Sequence, residues 1–356
     1  SISEYIKKNL NFYKKKKSLP ILIDNKNNYI ANQSKKNIYD INLRNKLFKN
    51  LNKNNEFDKI FIECLKISLP IDFVEGYNHV KKIFGLPKKI DKIFNVGPNL
   101  GEFPLINWIA FNISQNKAKL YLHQVGGMYG MSKNNISEFY DLKVADCFFS
   151  WGGFYKSKKI KKIKSEYLKL LENKKFNNKI AKNIVIVCAN LNFNYKDLSS
   201  RLQPSDNFIY IQNMLKLVAK FEENNIKNFK IKNYPKPVNL DLITEFKKKK
   251  LKKNFINKNF YETLDQAKLV ISTYNSTTFL ELITINKPCL LYWDPNHWPL
   301  NHNSRIYFNK LRESGIFHTN INSLVKKIQQ ISPDINKWWY SKQNQNVIKS
   351  FRNKFC

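Results

Sequence analysis

The densest run of groups able to grip a ligand is LVISTYNSTTFLE, Leu269–Glu281. An apolar strand runs into Ser272, Thr273, Tyr274, Asn275, Ser276, Thr277 and Thr278, and then directly into a helix. The first N–H groups of a helix have no partner inside it and form its positive end. Hydroxyls and amides placed there make a seat for phosphate oxygens. Ser276, Thr277 and Thr278 are the candidates for the phosphate, and Glu281, one turn further on, for a ribose or sugar hydroxyl. An ordinary helix needs one capping residue, here Asn275 or Ser276, whereas this turn supplies six polar ones. No P-loop lysine and no GxGxxG occurs, which argues against a P-loop and against a simple dinucleotide site.

Two further segments carry chemistry. In His123-Gln124-Val125-Gly126-Gly127-Met128-Tyr129-Gly130, glycines after a strand let the backbone approach a ligand, with His123 as proton acceptor and Gln124 as orienting amide. The same pattern also fits a tight turn with a histidine at a strand end. The loop Trp293–Pro299, WDPNHWP, brings Asn296 and His297 to the expected cleft edge, and Arg305 follows as a partner for phosphate or carboxylate. His297 and His302 are joined by no cysteine or acidic cluster, so the spacing does not make a zinc site. The absence of any DxD weakens a metal-dependent sugar transfer. Lys232, with Tyr234 and Pro235, closes a strand at the same rim and can meet a diphosphate. Asp72 and Glu75 read as a solvated loop, and Trp338-Trp339-Tyr340 as packing for a last helix.

The elements that must position these groups alternate. Strands are predicted over 91–96, 118–123, 145–151, 183–189, 229–233, 269–272 and 289–293. Helices are predicted over 57–67, 105–112, 137–141, 205–224, 261–268, 277–285 and 335–355. Strands separated by helical stretches imply crossover units and parallel sheets. The fold class expected is α/β, with two Rossmann-like domains and a cleft between them. Residues 1–60 form a poorly defined Lys/Asn-rich segment, 61–175 an acceptor domain, 176–330 a nucleotide-donor-binding domain and 331–356 a closing helix. The lysine-rich stretch 156–182 reads as the connector. Ligands of doubly wound halves sit at the carboxyl ends of the strands.

Composition bounds the partners. The 356 residues hold 42% hydrophobic and 14% aromatic side chains, enough for a core and too many for a disordered chain. Against 27 acidic residues stand 62 Lys and Arg, a formal charge of +35, yet only five are arginines. Readers of DNA sequence rely on arginine. The Lys/Asn bias reads as compositional, a solvated surface; the alternative is a selected attraction to an anionic membrane face or an anionic substrate, and no specific nucleic acid is expected. The five cysteines form no CxxC pair and read as thiols in a reducing compartment. No apolar run reaches 18 residues and the first ten lack an apolar signal core, so a cytoplasmic protein, membrane-peripheral at most, is expected.

Taken in order, the GGMYG turn at 126–130, Phe149-Ser150-Trp151-Gly152, the turn at 271–281, WDPNHW at 293–298 and KWWYS at 337–341 resemble one family. It comprises bacterial surface-carbohydrate transferases of the GT-B type, associated with lipopolysaccharide, capsule and flagellar glycans. The resemblance runs from Phe73 to Trp339. It implies a nucleotide-activated sugar donor, CMP- or UDP-linked, on the C-terminal domain and a glycan or glycolipid acceptor on the N-terminal one. No cofactor and no metal is implied. Such chains read Gln-His-Gly-Gly at the glycine turn, whereas Val125 follows Gln124 here. The base then falls to His123, about 6–7 Å back along an extended strand, to Glu102, or to Asp146, or else the member is inactive. Residues 272–278 are also similar to the phosphate turn of glycerol-phosphate and CMP-sugar transferases, which makes polyol-phosphate transfer the alternative.

Overall fold

Residues 39–51, 53–76, 89–96, 103–172, 181–191, 199, 201–233, 242–248 and 254–356 are described by the structure, a computed structural model. They fall into two units. One comprises the described residues up to Ile93 and those from Phe103 to Lys119, and the other comprises 94–96 and everything described from Leu120 onward.

In the first unit, α1 (Ile41–Phe48) and α2 (Glu56–Ser68) start at Asp40 and Asn55, whose side chains accept from the amides three residues on. Such caps satisfy amides that the helix itself leaves unpaired and contribute about 1 kcal/mol each. Arg44 ties these helices to the turn after Ile71–Phe73. Its Nε and Nη2 donate to the two Glu75 carboxylate oxygens at 2.7 and 2.8 Å, and Nη1 donates to the Leu69 carbonyl at 2.9 Å. Glu75 is therefore a buried partner of an arginine rather than a residue of a solvated loop. The unit also holds α3 (Phe103–Asn116), which lies between β1 (Lys92–Val96) and β2 in the chain.

The described strands form two sheets, which fall in the second unit except for Lys92, Ile93 and Lys119. The first runs in the order β1-β2-β3-β4, with β2 (Lys119–His123), β3 (Cys147–Ser150) and β4 (Ile160–Lys162) parallel and α4 (Ile136–Val144) crossing from β2 to β3. The stretch 156–182 is thus more than a connector, because it holds β4 and α5 (Glu166–Glu172). Its lysines hid an edge strand, where outward charge protects unpaired backbone. They also hid a short helix whose Leu168 and Leu171 are buried.

The second sheet forms from β5 (Asn183–Val187), α6 (Asn207–Glu223), β6 (Phe229–Lys232), α7 (Leu242–Lys248), α8 (Phe260–Asp265), β7 (Ala267–Ser272), α9 (Thr277–Thr284) and β8 (Cys289–Tyr292). It continues with α10 (His302–Glu313), β9 (Phe317–His318), α11 (Ile321–Ile331), α12 (Ile335–Trp339) and α13 (Lys342–Phe355). Its order is β6-β5-β7-β8-β9, every pair parallel. The inner strands β5 and β7 are continuous apolar runs, with Val185, Leu269, Val270 and Ile271 fully buried, as strands covered on both faces must be. The last helix is two helices, broken at Tyr340 where Ser341 caps α13, and Trp339 packs inside as expected, its Nε1 donating to Asn286. The expected α/β class with parallel sheets is the observed one. Among the described residues no helix is long and apolar enough to cross a membrane, and the five cysteines are free thiols.

Candidate functional site

The chain leaves β5 for β6 on one side and returns to β7 on the other, so the carboxyl ends of β5 and β7 flank a topological switch point. Open α/β sheets bind ligands in the crevice outside such a point. The end of β7 runs into the Ser272–Thr278 turn.

Two residues of that turn build the floor of the crevice instead of facing a ligand. Thr273 donates its hydroxyl proton to the Val187 carbonyl at 2.8 Å, closing β7 onto β5. The Tyr210 hydroxyl, 2.6 Å from Thr273 Oγ1, donates to it and accepts from the Ala189 amide at 2.8 Å. Ser272 is fully buried, its hydroxyl 3.4 Å from the Tyr274 carbonyl. Both had been expected to hold ligand, and both are spent on the fold. Tyr210, which finishes the floor from α6, carries no recognisable signal in the sequence.

The next four residues differ. Asn275 is 1% exposed, and neither its Oδ1 nor its Nδ2 has a hydrogen-bond partner. Burying an amide unpaired costs free energy, and native proteins rarely leave one so. Ser276 is the N-cap of α9, yet its side chain makes no bond to the helix amides. Thr277 Oγ1 accepts from the Gly127 amide at 3.0 Å, and Thr278 Oγ1 lies 2.7 Å from the Tyr274 hydroxyl. Ser276, Thr277 and Thr278 are half-buried, neither on the outer surface nor sealed under packed side chains.

The glycine turn of the first sheet lies against this helix start. A Cβ on Gly127 would stand 2.9 Å from the Ser276 carbonyl and from Leu280 Cδ1, while one on Gly126 would be 3.7 Å from Thr277 Oγ1. Gly127 thus serves the close approach of two backbones. Gln124 is 2% exposed, and its Nε2 donates to Gly126 O at 2.9 Å while Oε1 accepts from Trp151 N at 2.9 Å. It clamps the turn to the end of β3 and is a positioning residue. His123 Nδ1 lies 2.6 Å from the Gln124 carbonyl. A carbonyl only accepts, so Nδ1 carries a proton in this contact. Asp146 sits at the opposite, amino end of β3, exposed, accepting from Leu120 N at 2.9 Å. The structure does not bring it to the turn. Glu102, Tyr234 and Pro235 lie outside the described residues.

Below the turn is a carboxylate pair that sequence reasoning missed. Glu138 accepts from the Gly130 amide at 3.0 Å and from the Tyr155 hydroxyl at 2.7 Å. Asp141, fully buried, accepts from the Tyr129 hydroxyl at 2.8 Å. Burial raises both carboxyl pKa values, that of Asp141 to about 6. Asn301 and Ser304 secure the other side, donating to Gly130 O and Met131 O at 2.8 Å each.

The remaining candidates lie along the same strand ends. Lys232 closes β6, buried, its pKa lowered by desolvation. In the loop after β8, Asp294 Oδ1 accepts from Asn296 N at 2.8 Å, and the His297 ring stands 6.1 Å from that of Trp298. Trp298 in turn meets Tyr210 edge-on at 6.1 Å, so this loop reaches the crevice floor. Asn296 is exposed. Arg305 is exposed on the first turn of α10, its Nε donating to Leu300 O at 3.2 Å. Glu281 is 8% exposed and accepts from the Tyr261 hydroxyl at 3.2 Å, and Tyr261 bonds Tyr167. Burial lifts both tyrosine pKa values, that of Tyr167 to about 12. Among the described residues no three His, Cys, Asp or Glu side chains form a metal-binding group.

This hydroxyl-rich turn lies at the switch point of a parallel sheet, and transfer is what sequence comparison returns. The chain belongs to the LIC12162 family transferases, whose family model matches residues 2–356. None of the curated proteins searched matches it. Solved structures with a similar backbone include a protein described as a UDP-N-acetylglucosamine 2-epimerase from Listeria monocytogenes, at TM-score 0.44 and 11% identity over 77% of this chain and 76% of that one. MurG of Acinetobacter baumannii gives 0.40 and 12% over 77% and 72%. The spinosyn forosaminyltransferase SpnP gives 0.34 and 8% over 68% and 67%.

Proposed function

We propose that this transferase moves a sugar from a nucleotide-activated donor to a surface polysaccharide or glycoconjugate. The donor phosphate rests on the amino end of α9, held by the amides and hydroxyls of Ser276, Thr277 and Thr278, with Asn275 as a further donor. The observation that carries the reading is Asn275, a buried amide with no partner directly before a helix start whose cap residue leaves the helix amides unbonded. A phosphate placed there is stabilised as the leaving group accumulates charge, so no metal is required. Lys232 adds charge from the neighbouring strand end, and His123 Nε2 takes the acceptor proton. The acceptor is a glycan or glycolipid, and the lysine-rich surface holds the protein at the cytoplasmic face of an anionic membrane.

The test is a thermal-shift series with UDP, GDP, CMP, CDP and dTDP, since a ligand that binds only the folded chain raises its melting temperature. One nucleotide is expected to raise it. A transfer assay with that nucleotide's sugar donors follows, and His123→Ala is expected to slow turnover by about 10²–10⁴-fold. The mass of the product separates sugar transfer from the transfer of a polyol phosphate. No shift with any nucleotide overturns the reading.

A further inference from the structure

A cavity of about 410 Å³ opens beside β9, the edge strand of the second sheet, two strands from β7. Its volume falls among those of small-molecule sites, roughly 300–1,000 Å³, but its wall is unlike theirs. Lys326, Lys327, His318, Ser323, Gln343 and the Trp338 ring line it. One aromatic face in an otherwise hydrogen-bonding wall suits a hydroxylated ligand rather than a lipid or an apolar one.

The wall is built rather than incidental. Lys327 holds its ammonium over the Trp338 ring, 5.2 Å from the centroid, and donates to Gln330 Oε1 at 3.1 Å. Its stem crosses Gly315 so closely that a Cβ there would stand 2.6 Å from Lys327 Cε, and Gly315 itself is held at φ +68°. That φ ends α10, where Gly315 N donates to Arg312 O and Ile316 N to Leu311 O, and the lysine stem lies against the bare glycine. Only Glu313 supplies an acidic side chain to the wall, against two ammonium groups. No ion pair involving Lys327 is seen among the described residues, and burial lowers its pKa. His318 adds no positive charge. Its Nε2 lies 3.1 Å from Gly315 O and its Nδ1 3.1 Å from Ser323 Oγ, and burial lowers its pKa. The indole Nε1 of Trp338 is buried without a partner.

We infer that this cavity is a second ligand site, taking a small hydroxyl-rich molecule that carries a negative charge, an acidic sugar or a sugar phosphate. The Lys327 ammonium meets the carboxylate or phosphate, and the Trp338 ring underlies the carbon skeleton. The site does not depend on the function proposed for the turn at 272–278.

Calorimetric titration of the full chain with glucuronate, glucose 6-phosphate, glucose and inorganic phosphate tests this. A charged sugar is expected to bind saturably, at least tenfold more tightly than glucose and than inorganic phosphate. Lys327→Gln, which keeps most of the stem and removes the charge, is expected to weaken that binding at least tenfold, and the exposed control Lys349→Ala to leave it unchanged. Trp338→Phe, which keeps a ring, is expected to retain binding but to lose the fluorescence change that accompanies it. Saturation by neither charged sugar overturns the inference. So does equal weakening in Lys327→Gln and Lys349→Ala, which would mark attraction to the general positive surface, or preference for bare phosphate. Ser276→Ala serves to keep the two sites apart, since it is expected to leave charged-sugar binding intact.

Discussion

The amide of Gly127 donates to the hydroxyl of Thr277 across 3.0 Å, joining the glycine turn of the first sheet to the helix that leaves the second. The bond spans 150 residues of sequence and stands where the donor phosphate is proposed to rest. The glycines on one side and the hydroxyls on the other are therefore parts of one joint.

Gly127→Ala and Gly126→Ala should separate cleanly. The added methyl at 127 meets a backbone carbonyl at 2.9 Å, which cannot swing aside as a side chain can, whereas at 126 the nearest atom is 3.7 Å away. Overpacking of the first kind costs about 1–3 kcal/mol, and the second should fall within about 0.5 kcal/mol of wild type. Urea unfolding midpoints check this, and equal midpoints for the two variants would refute the close-approach role of Gly127.

Glu75 and Arg44 give the first unit an acid-sensitive strut. Hydrogen bonds from Arg44 hold the Glu75 carboxyl down at about 2, against its ordinary 4.5. The lowered value means the pair stabilises the fold fully above about 4.5 and loses that contribution as pH falls through about 2. Glu75→Gln should therefore melt below wild type at neutral pH, with the gap closing on acidification. Melting temperatures of both proteins between pH 2 and 7 would show it, and a gap independent of pH would count against the strut.

Asp141 runs the other way. Burial lifts it from 3.8 to about 6, so the folded state holds its proton more tightly than the unfolded chain does. Its contribution is complete below about 3.8 and is lost as pH rises through about 6. Asp141→Asn still accepts the Tyr129 hydroxyl and carries no charge. It should match wild type near pH 4 and exceed it above pH 6, in the same melting series.

Much of this fold was legible because its inner strands are unambiguous. Asn183–Val187 and Leu269–Ser272 are apolar runs that only a strand covered on both faces explains. The turn after β7 announced itself by its density of hydroxyls, and Trp339 by its place among the last aromatics. What the sequence concealed has physical causes. Lysines along 156–182 masked β4 and α5, because an edge strand and a surface helix need few apolar positions. Two-residue β9 is too short to show a period. The turn's residues could be named but not sorted. That Ser272 and Thr273 serve the floor while Asn275 goes unpaired depends on Tyr210, Val187 and Ala189, which only the folded chain brings together. Gln124 and the glycines could not be sorted for the same reason, since a clamp and a ligand loop are composed of the same residue types.

The most direct test is calorimetric binding of the nucleotide selected by thermal shift to wild type, to Ser276→Ala/Thr277→Ala and to Asn275→Ala. Removing a buried amide that has no partner should leave the empty fold within about 1 kcal/mol of wild type. The account predicts that both variants fold as wild type does yet bind the nucleotide at least tenfold more weakly. Undiminished affinity in both would contradict it and remove the amino end of α9 from the site.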